Sequence, residues 1–482
     1  MGFANKSKVK WALFWNYLQK TSGHVLKFLI GITLARLLDP AHFGLIAMVS
    51  VFTSFSNRVI GLGLSSALIQ KKEIDDLDCN TVFYTNLALA ISCYAVLFAS
   101  APYIAEFYNE GSLVALVRVC ALNLILNAIS AIQFTLISKE LKFKSSFRVS
   151  IISAILGGAT SIGLAYYGLG VWALVAGTIM TNSLRAILLL NHRLWRPTMH
   201  FSLQRLQTLL PFGGKVTLLG VIEVFFSNLH TIVIGRLFNA STLGFYARAN
   251  SLQQFAATGI TEPLQGVIFP ALSKVQDKPQ ELKTTHFRSL EMTVFLVLPA
   301  MLYLSIEAHA IVSVLLGTKW LPAAPLLQIS CGIGSLLPIR HHCSMTLKSV
   351  GRVGEIIKLQ TIGRTFSLLA VIITYRYGIK AMMFGEVIAT GILVSVFIFA
   401  VSKQLESHVR ESLSCMAPYG AATLVSGLIT HTLREKLVLP HEIELVATFI
   451  SLSGIFLAVV FLAKTPLSQE LTRTLASKVR PR

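Results

Sequence analysis

Thirty-six consecutive residues, Val149 to Leu184, carry no charged side chain. A helix needs about 20 apolar residues to cross roughly 30 Å of hydrocarbon, so this run is too long for one crossing. Its centre, Tyr166-Tyr167-Gly168-Leu169-Gly170, reads as a turn, giving two helices in a tight hairpin. Further charge-free runs cover Cys79–Ala105, Val119–Ser138, Trp320–Ile339, Ser412–Leu433 and Leu445–Ala463. Only 13% of the 482 residues are charged, about half the share in soluble domains, and 54% are hydrophobic. Such a chain is neither a soluble nucleic-acid binder nor a disordered basic protein, despite its formal net charge of +20. Six scattered cysteines form no Cys-x-x-Cys pair and no disulfide framework.

The pattern predicts an all-α integral membrane protein of about fourteen transmembrane helices. Their expected cores are 13–37, 43–65, 81–105, 113–137, 147–167, 170–190, 209–237, 243–268, 290–316, 324–349, 356–376, 379–402, 413–433 and 445–463. The first apolar run is interrupted by Lys20 and Lys27 and lacks a small-residue cleavage site, so no cleavable signal peptide is expected. Lys and Arg alternate between a rich and a poor set of connections, with 26 of the 42 in the rich set. Both termini belong to the rich set, which predicts that both are cytoplasmic and that the helix count is even.

The chain also repeats itself. Gly235-Arg236-Leu237-Phe238-Asn239-Ala240-Ser241-Thr242-Leu243-Gly244-Phe245 lies 200 residues after Ala35-Arg36-Leu37-Leu38-Asp39-Pro40-Ala41-His42-Phe43-Gly44-Leu45. Arg36/Arg236, Leu37/Leu237, Gly44/Gly244, Ala47/Ala247 and Phe55/Phe255 are identical at that offset, and Tyr167-Gly168 echoes in Tyr377-Gly378. The unit is six helices, an even number, so the halves are expected as parallel lobes related by an axis along the membrane normal. This divides the chain into an N-lobe (1–200), a C-lobe (201–405), two extra helices (406–465) and a basic tail (466–482).

Ionisable groups at membrane depth are costly and mark functional candidates. The embedded bases are Lys20, Lys27, Arg58, Arg185, Lys215, Arg248, Arg340 and Arg364, and the embedded acids are Glu223, Glu262, Glu291 and Glu386. Lys20, His24 and Lys27 stack on one helix face. Arg248, Phe255 and Glu262 recur every seven with Gln265 three further on, and with Asn250, Gln254 and Thr258 beside them they give the eighth helix a polar face too broad for lipid. Sugar hydroxyls would need amides such as Asn250, Gln253 and Gln254. Arg185, Arg364 and Glu291 are read as reaching the interface. A cationic interior suits an anionic ligand, because a phosphate leaving water needs charge-assisted partners. Candidate ligand contacts are therefore Lys20, His24, Lys27, Arg58, Arg248, Asn250, Gln254 and Arg340. Glu223 and Glu262 are candidate coupling acids.

Several motifs are set aside. Asp75-Asp76-Leu77-Asp78 reads as a helix cap rather than a sugar-phosphate site. His341-His342 point about 100° apart and do not make a zinc site without further ligands. Gly213-Gly214-Lys215-Val216 lacks the flanking residues of a phosphate loop. No paired catalytic carboxylates or nucleophile elbow occur, so the chain is read as a non-enzyme without metal or cofactor.

The motifs ALARLLDP-like Thr33–Pro40 with Phe43-Gly44-Leu45, Gly63–Gln70, Phe134–Phe143, Leu243–Ala249, Ile268–Ser273 and Leu316–Pro322 stand in one order along the chain. In them the chain resembles the Wzx-type polysaccharide flippases, in the polysaccharide-transporter branch (which includes the colanic-acid exporter) of the multidrug/oligosaccharidyl-lipid/polysaccharide superfamily. The resemblance implies two six-helix lobes around a V-shaped cavity, alternating access, and a bacterial inner-membrane location. It implies an undecaprenyl-pyrophosphate-linked oligosaccharide as cargo, with membrane lipids and a polysaccharide polymerase and chain-length regulator as partners, and no nucleic acid. One departure is Gly61, where relatives often carry an acid before the Gly-Leu pair. A drug/cation antiporter of the same superfamily and a membrane-embedded polymerase or ligase remain as alternatives. The antiporter is opposed by the basic interior, the polymerase by the short external loops.

Overall fold

A computed structural model describes residues 3–61, 63–71, 73–140, 142–191, 195–436, 440–469 and 472. The side chain of Lys215 and the basic tail from 473 onward lie outside the described residues. Among the described residues no strand occurs. The chain opens with α1 (Phe3–Leu37), α2 (Pro40–Gly61), α3 (Leu64–Gln70), α4 (Asp76–Tyr108), α5 (Leu113–Cys120) and α6 (Leu122–Lys139). It continues with α7 (Phe143–Tyr166), α8 (Val171–Asn191), α9 (Leu203–Leu237), α10 (Ala240–Lys274), α11 (Pro279–Ile306) and α12 (Ala308–Leu316). A 3-10 turn (Thr318–Ala323) leads into α13 (Ala324–Ser349), and then come α14 (Val353–Thr374), α15 (Ile379–Gln404), α16 (Val409–Lys436) and α17 (His441–Leu462). The 36-residue uncharged run divides at Tyr166–Gly170 into α7 and α8, as the turn residues require.

Among the described residues twelve helices are long and apolar enough to cross a membrane. Twelve of the fourteen expected cores fall on them; 13–37 and 243–268 are helical as α1 and α10 but are not among the twelve. These two segments carry the polar residues that make them candidate sites. The expected ninth span, 290–316, is corrected: α11 ends at Ile306, and Glu307 (φ −90°, ψ 12°) turns the chain into the separate short α12.

The chain divides into two compact units, Met1–Ala247 and Arg248–Arg482. In the first, Leu64 and Leu68 of α3, Val82 and Phe83 of α4, Ile132 of α6 and Leu209 of α9 form a core closed by Trp195. Gln133 Nε2 donates to the Trp195 carbonyl (2.7 Å), and the Phe83 and Trp195 rings stand 5.5 Å apart. In the second unit, Leu290 and Val294 of α11, Cys343 and Leu347 of α13, Phe397 and Val401 of α15, Tyr419 of α16 and Phe456 of α17 form the core. All six cysteines are free thiols.

The repeat has a physical counterpart in the first unit. α1 and α9 end at Leu37 and Leu237, and α2 and α10 begin at Pro40 and Ala240. Leu38 N–H donates to the Leu34 carbonyl at 2.8 Å, and Phe238 N–H to Ile234 at 2.9 Å. The two corners touch through their glycines. A Cβ on Gly44 would lie 1.8 Å from the Ala240 carbonyl oxygen, and one on Gly244 would lie 1.9 Å from that of Pro40. Only residues without a side chain let two helix backbones come this close. Residue 44 meets 240 and residue 244 meets 40, so the offset of 200 holds in the contacts as well as the letters.

Aspartates 75 and 78 cap α4. Asp75 accepts from Asp78 N–H (2.8 Å), and Asp78 accepts from Asp75 N–H (3.3 Å), a reciprocal box. Arg205 of α9 reaches both, at 3.0 Å from Asp75 and 3.6 Å from Asp78, and Lys71 pairs with Asp78. The Asp78 N–H foremost holds the Asp75 carboxyl below the ordinary aspartate range; burial opposes it, and the Asp78 side chain, Arg205 and Lys71 add to the lowering.

Candidate functional site

Residues spaced four and three apart share one helix face, and Lys20, His24 and Lys27 do so on α1, uncovered by protein. α1 packs on α7, where Gln19 Nε2 donates to Ser150 Oγ (3.4 Å). Arg185 of α8, expected at the interface, is close enough to act on the charge of Lys27, and its guanidinium lies 5.8 Å from the centroid of the Phe134 ring. Two like charges within each other's field repel, and an anion near both relieves that repulsion. The arrangement is therefore suited to a ligand with a phosphate or another compact anion.

Arg58 and Glu223, expected as a ligand contact and a coupling acid, form one ion pair (3.5 Å) between α2 and α9. The guanidinium lies across Gly220, where any side chain would displace it. Both side chains keep much of their surface uncovered by protein, at 45% and 67%. Next to Arg58, Asn57 accepts a hydrogen bond from Asn127 Nδ2 of α6 (3.3 Å). The result is a polar patch of an amide pair and an openable ion pair.

In the second unit α10 carries the candidates at helical spacing. Arg248 and Asn250 are half-buried, while Gln254 and Glu262 are uncovered. Gln253, considered for sugar contact, is buried at 3% exposure against Gly334 of α13, so it packs rather than presents itself. Arg340 on α13 donates to His341 Nε2 (2.8 Å), which fixes that histidine as an acceptor at this atom. Lys20, His24 and Lys27 are thus brought together, as are Arg58 with Glu223 and Arg340 with His341.

Spacing gave no sign of several partnerships. His342 pairs with His286 of α11, not with His341: the rings stand 4.9 Å apart, and His342 Nε2 donates to the His286 carbonyl (3.2 Å). Glu291, read as an interface group, is largely buried, with Cys415 and Tyr419 of α16 against it. Glu307 is fully buried and was not among the expected embedded acids. Its signal was available, because an acid stood inside a segment read as spanning. Among the described residues no group of three His, Cys, Asp or Glu side chains gathers as a metal site would need.

The fold is that of known transporters. The solved structure of the lipid II flippase MurJ in its inward closed conformation matches with a TM-score of 0.76 at 13% identity, over 94% of this chain and 99% of that one. An inward-facing multidrug resistance MATE family transporter matches with a TM-score of 0.59 at 16% identity, over 80% of this chain and 94% of that one. In sequence, the chain is 25% identical over 342 residues to the lipopolysaccharide biosynthesis protein WzxC of Escherichia coli, covering 70% of this chain and 69% of WzxC. It is 27% identical to the succinoglycan biosynthesis transport protein ExoT of Rhizobium meliloti, covering 71% and 68%. Residues 33–325 match the family described as polysaccharide biosynthesis protein, and with more than half of its length matched the chain belongs to that family.

Proposed function

We propose that this protein moves a lipid-linked oligosaccharide from the cytoplasmic to the periplasmic leaflet during polysaccharide biosynthesis. The observation that carries the reading is the cationic face of α1, Lys20, His24 and Lys27 with Arg185 beside it, in a family named for polysaccharide biosynthesis. Lys20, Lys27 and Arg248 bind the pyrophosphate, each charge-assisted contact adding about 1.5–3 kcal/mol. His24, Arg58 and Arg340 add further donors, and Asn250 and Gln254 meet sugar hydroxyls. Glu223 and Glu262 couple the movement, Glu223 by exchanging Arg58 for a proton or a cation. The working arrangement is two parallel six-helix lobes, 1–200 and 201–405, with 406–465 and the basic tail outside them. α1 and α10 cross the membrane as polar-faced helices, which makes fourteen crossings with both termini cytoplasmic in a bacterial inner membrane. A polymerase and a chain-length regulator act next on the cargo, and the protein itself performs no chemistry.

The MATE likeness admits a second reading, export of a cationic drug, but the bases on α1 oppose a cationic cargo. Lys27→Ala and Arg248→Ala, at wild-type expression, are expected to abolish polysaccharide export, with lipid-linked repeat units accumulating on the cytoplasmic face. Full export by both variants overturns the proposed site.

A further inference from the structure

Glu307 stands at the α11–α12 junction, outside the spanning segments, with no exposed surface. Neither of its carboxylate oxygens accepts a hydrogen bond. The donors around it are committed elsewhere. Arg434 of α16 donates through Nε to Glu444 of α17 and through Nη1 to the Ile306 carbonyl (3.0 Å), leaving Nε 3.6 Å from Glu307. Tyr303 of α11 donates its hydroxyl to the Leu445 carbonyl (2.9 Å), and Thr448 of α17 donates to the Glu444 carbonyl (2.8 Å). His441 pairs with the other oxygen of Glu444 at 3.0 Å. The titratable and charged groups acting on Glu307 are thus Arg434 from α16, Glu444 and His441 from α17, and Tyr303 from its own helix.

An ionised carboxylate without donors in such a place is costly, and one guanidinium cannot serve two carboxylates equally. The neutral acid has the opposite fit, because its O–H can donate to Thr448 Oγ1, whose own proton already points to Glu444. We propose that Glu307 is a proton-binding site gated by the Arg434–Glu444 pair. A cavity of about 350 Å3, lined in part by Ser305, Gln328, His431 and Arg434, is large enough for water to reach Arg434. Protonation forms one O–H bond on Glu307 at the expense of a hydronium ion and leaves Arg434 to Glu444. Ionisation returns the proton to water and draws Arg434 from Glu444 or Ile306 toward Glu307. Burial is the largest influence on the carboxyl; Arg434 opposes it, Glu444 adds to it, and the group ends above the ordinary glutamate value. The proton's effect thereby reaches α16 and α17, the two helices that lie beyond the sequence repeat.

The site goes beyond the transport reading, and its test needs no substrate. Infrared difference spectra of the full chain in lipid nanodiscs, recorded across pH, read the carbonyl stretch of protonated carboxylic acids. A band is expected that titrates above the ordinary glutamate value of about 4.3 and disappears in Glu307→Gln. In Glu444→Gln, Arg434 is released to Glu307, and the midpoint is expected to fall. An unchanged band in Glu307→Gln overturns the site, and a midpoint that stays or rises in Glu444→Gln overturns its gating. Should Glu307→Gln fail to fold, the Glu444→Gln midpoint decides alone, because an unmoved midpoint then rejects the proposal.

Discussion

The α1–α2 corner and the α9–α10 corner begin alike and part after about twenty residues. Both turn at the same register and both hold a glycine against the other's first carbonyl. Then α2 stops at Gly61, and Gly63 takes a left-handed conformation (φ 62°), whereas α10 runs through Pro263 and Pro270 to Lys274. Proline removes one hydrogen bond but keeps a helical φ, so α10 continues; the glycine reverses the sign of φ, so α2 ends. Charge has diverged as well. Met48, fully buried, occupies the position equivalent to Arg248, and Leu62 the position equivalent to Glu262. The repeat has kept its contact and let its chemistry differ, so the shared residues hold the corners together and the unshared ones are where ligand recognition belongs.

The contact can be broken directly. Gly44→Ala and Gly244→Ala each press a methyl group into a backbone carbonyl that no rotamer change can relieve. Each is expected to cost about 1–3 kcal/mol or more and to lower the thermal unfolding temperature in detergent. Gly259→Ala on α10 meets open space and is expected to be neutral or to gain up to about 1 kcal/mol. Equal stability of all three variants would break the comparison.

The point of divergence predicts a smaller effect. Gly63→Ala sets a side chain in a left-handed conformation, where its Cβ would lie 2.7 Å from the Gly213 carbonyl oxygen. A loss of about 1–3 kcal/mol is expected, read as a lower midpoint in thermal unfolding. A Gly63→Ala protein as stable as wild type would mean that α2 ends for another reason.

The smallest effect lies beyond the break, at the start of α4. The first copy needs the Asp75 cap to begin that helix anew, and Asp75→Ala is expected to cost about 1 kcal/mol near neutral pH. Because the native fold lowers the Asp75 carboxyl, the charge-dependent part of this stability is present above the unfolded value of about 3.9 and is lost as pH falls through the native value. Unfolding curves of wild type and variant should therefore approach one another in acid, and a gap that widens there would contradict the assignment.

Charge-free runs located most helices because membrane crossing leaves a local signature, and the offset of 200 located the paired corners because a turn is also local. The break at Glu307 was not legible. Glu307-Ala308-His309-Ala310 suits a helix, and the turn comes with burial of the acid near Arg434, 127 positions away. The same holds for the candidate site. Helical spacing stacked Lys20, His24 and Lys27, since periodicity decides faces. It could not join Arg58 to Glu223, place Arg185 beside Lys27, or set His342 against His286, since those meetings depend on how helices pack.

The exchange of 44 with 240 and of 244 with 40 has the form of a contact between identical partners about a twofold axis. A chain carrying only one such corner would offer a self-complementary surface to a second copy of itself.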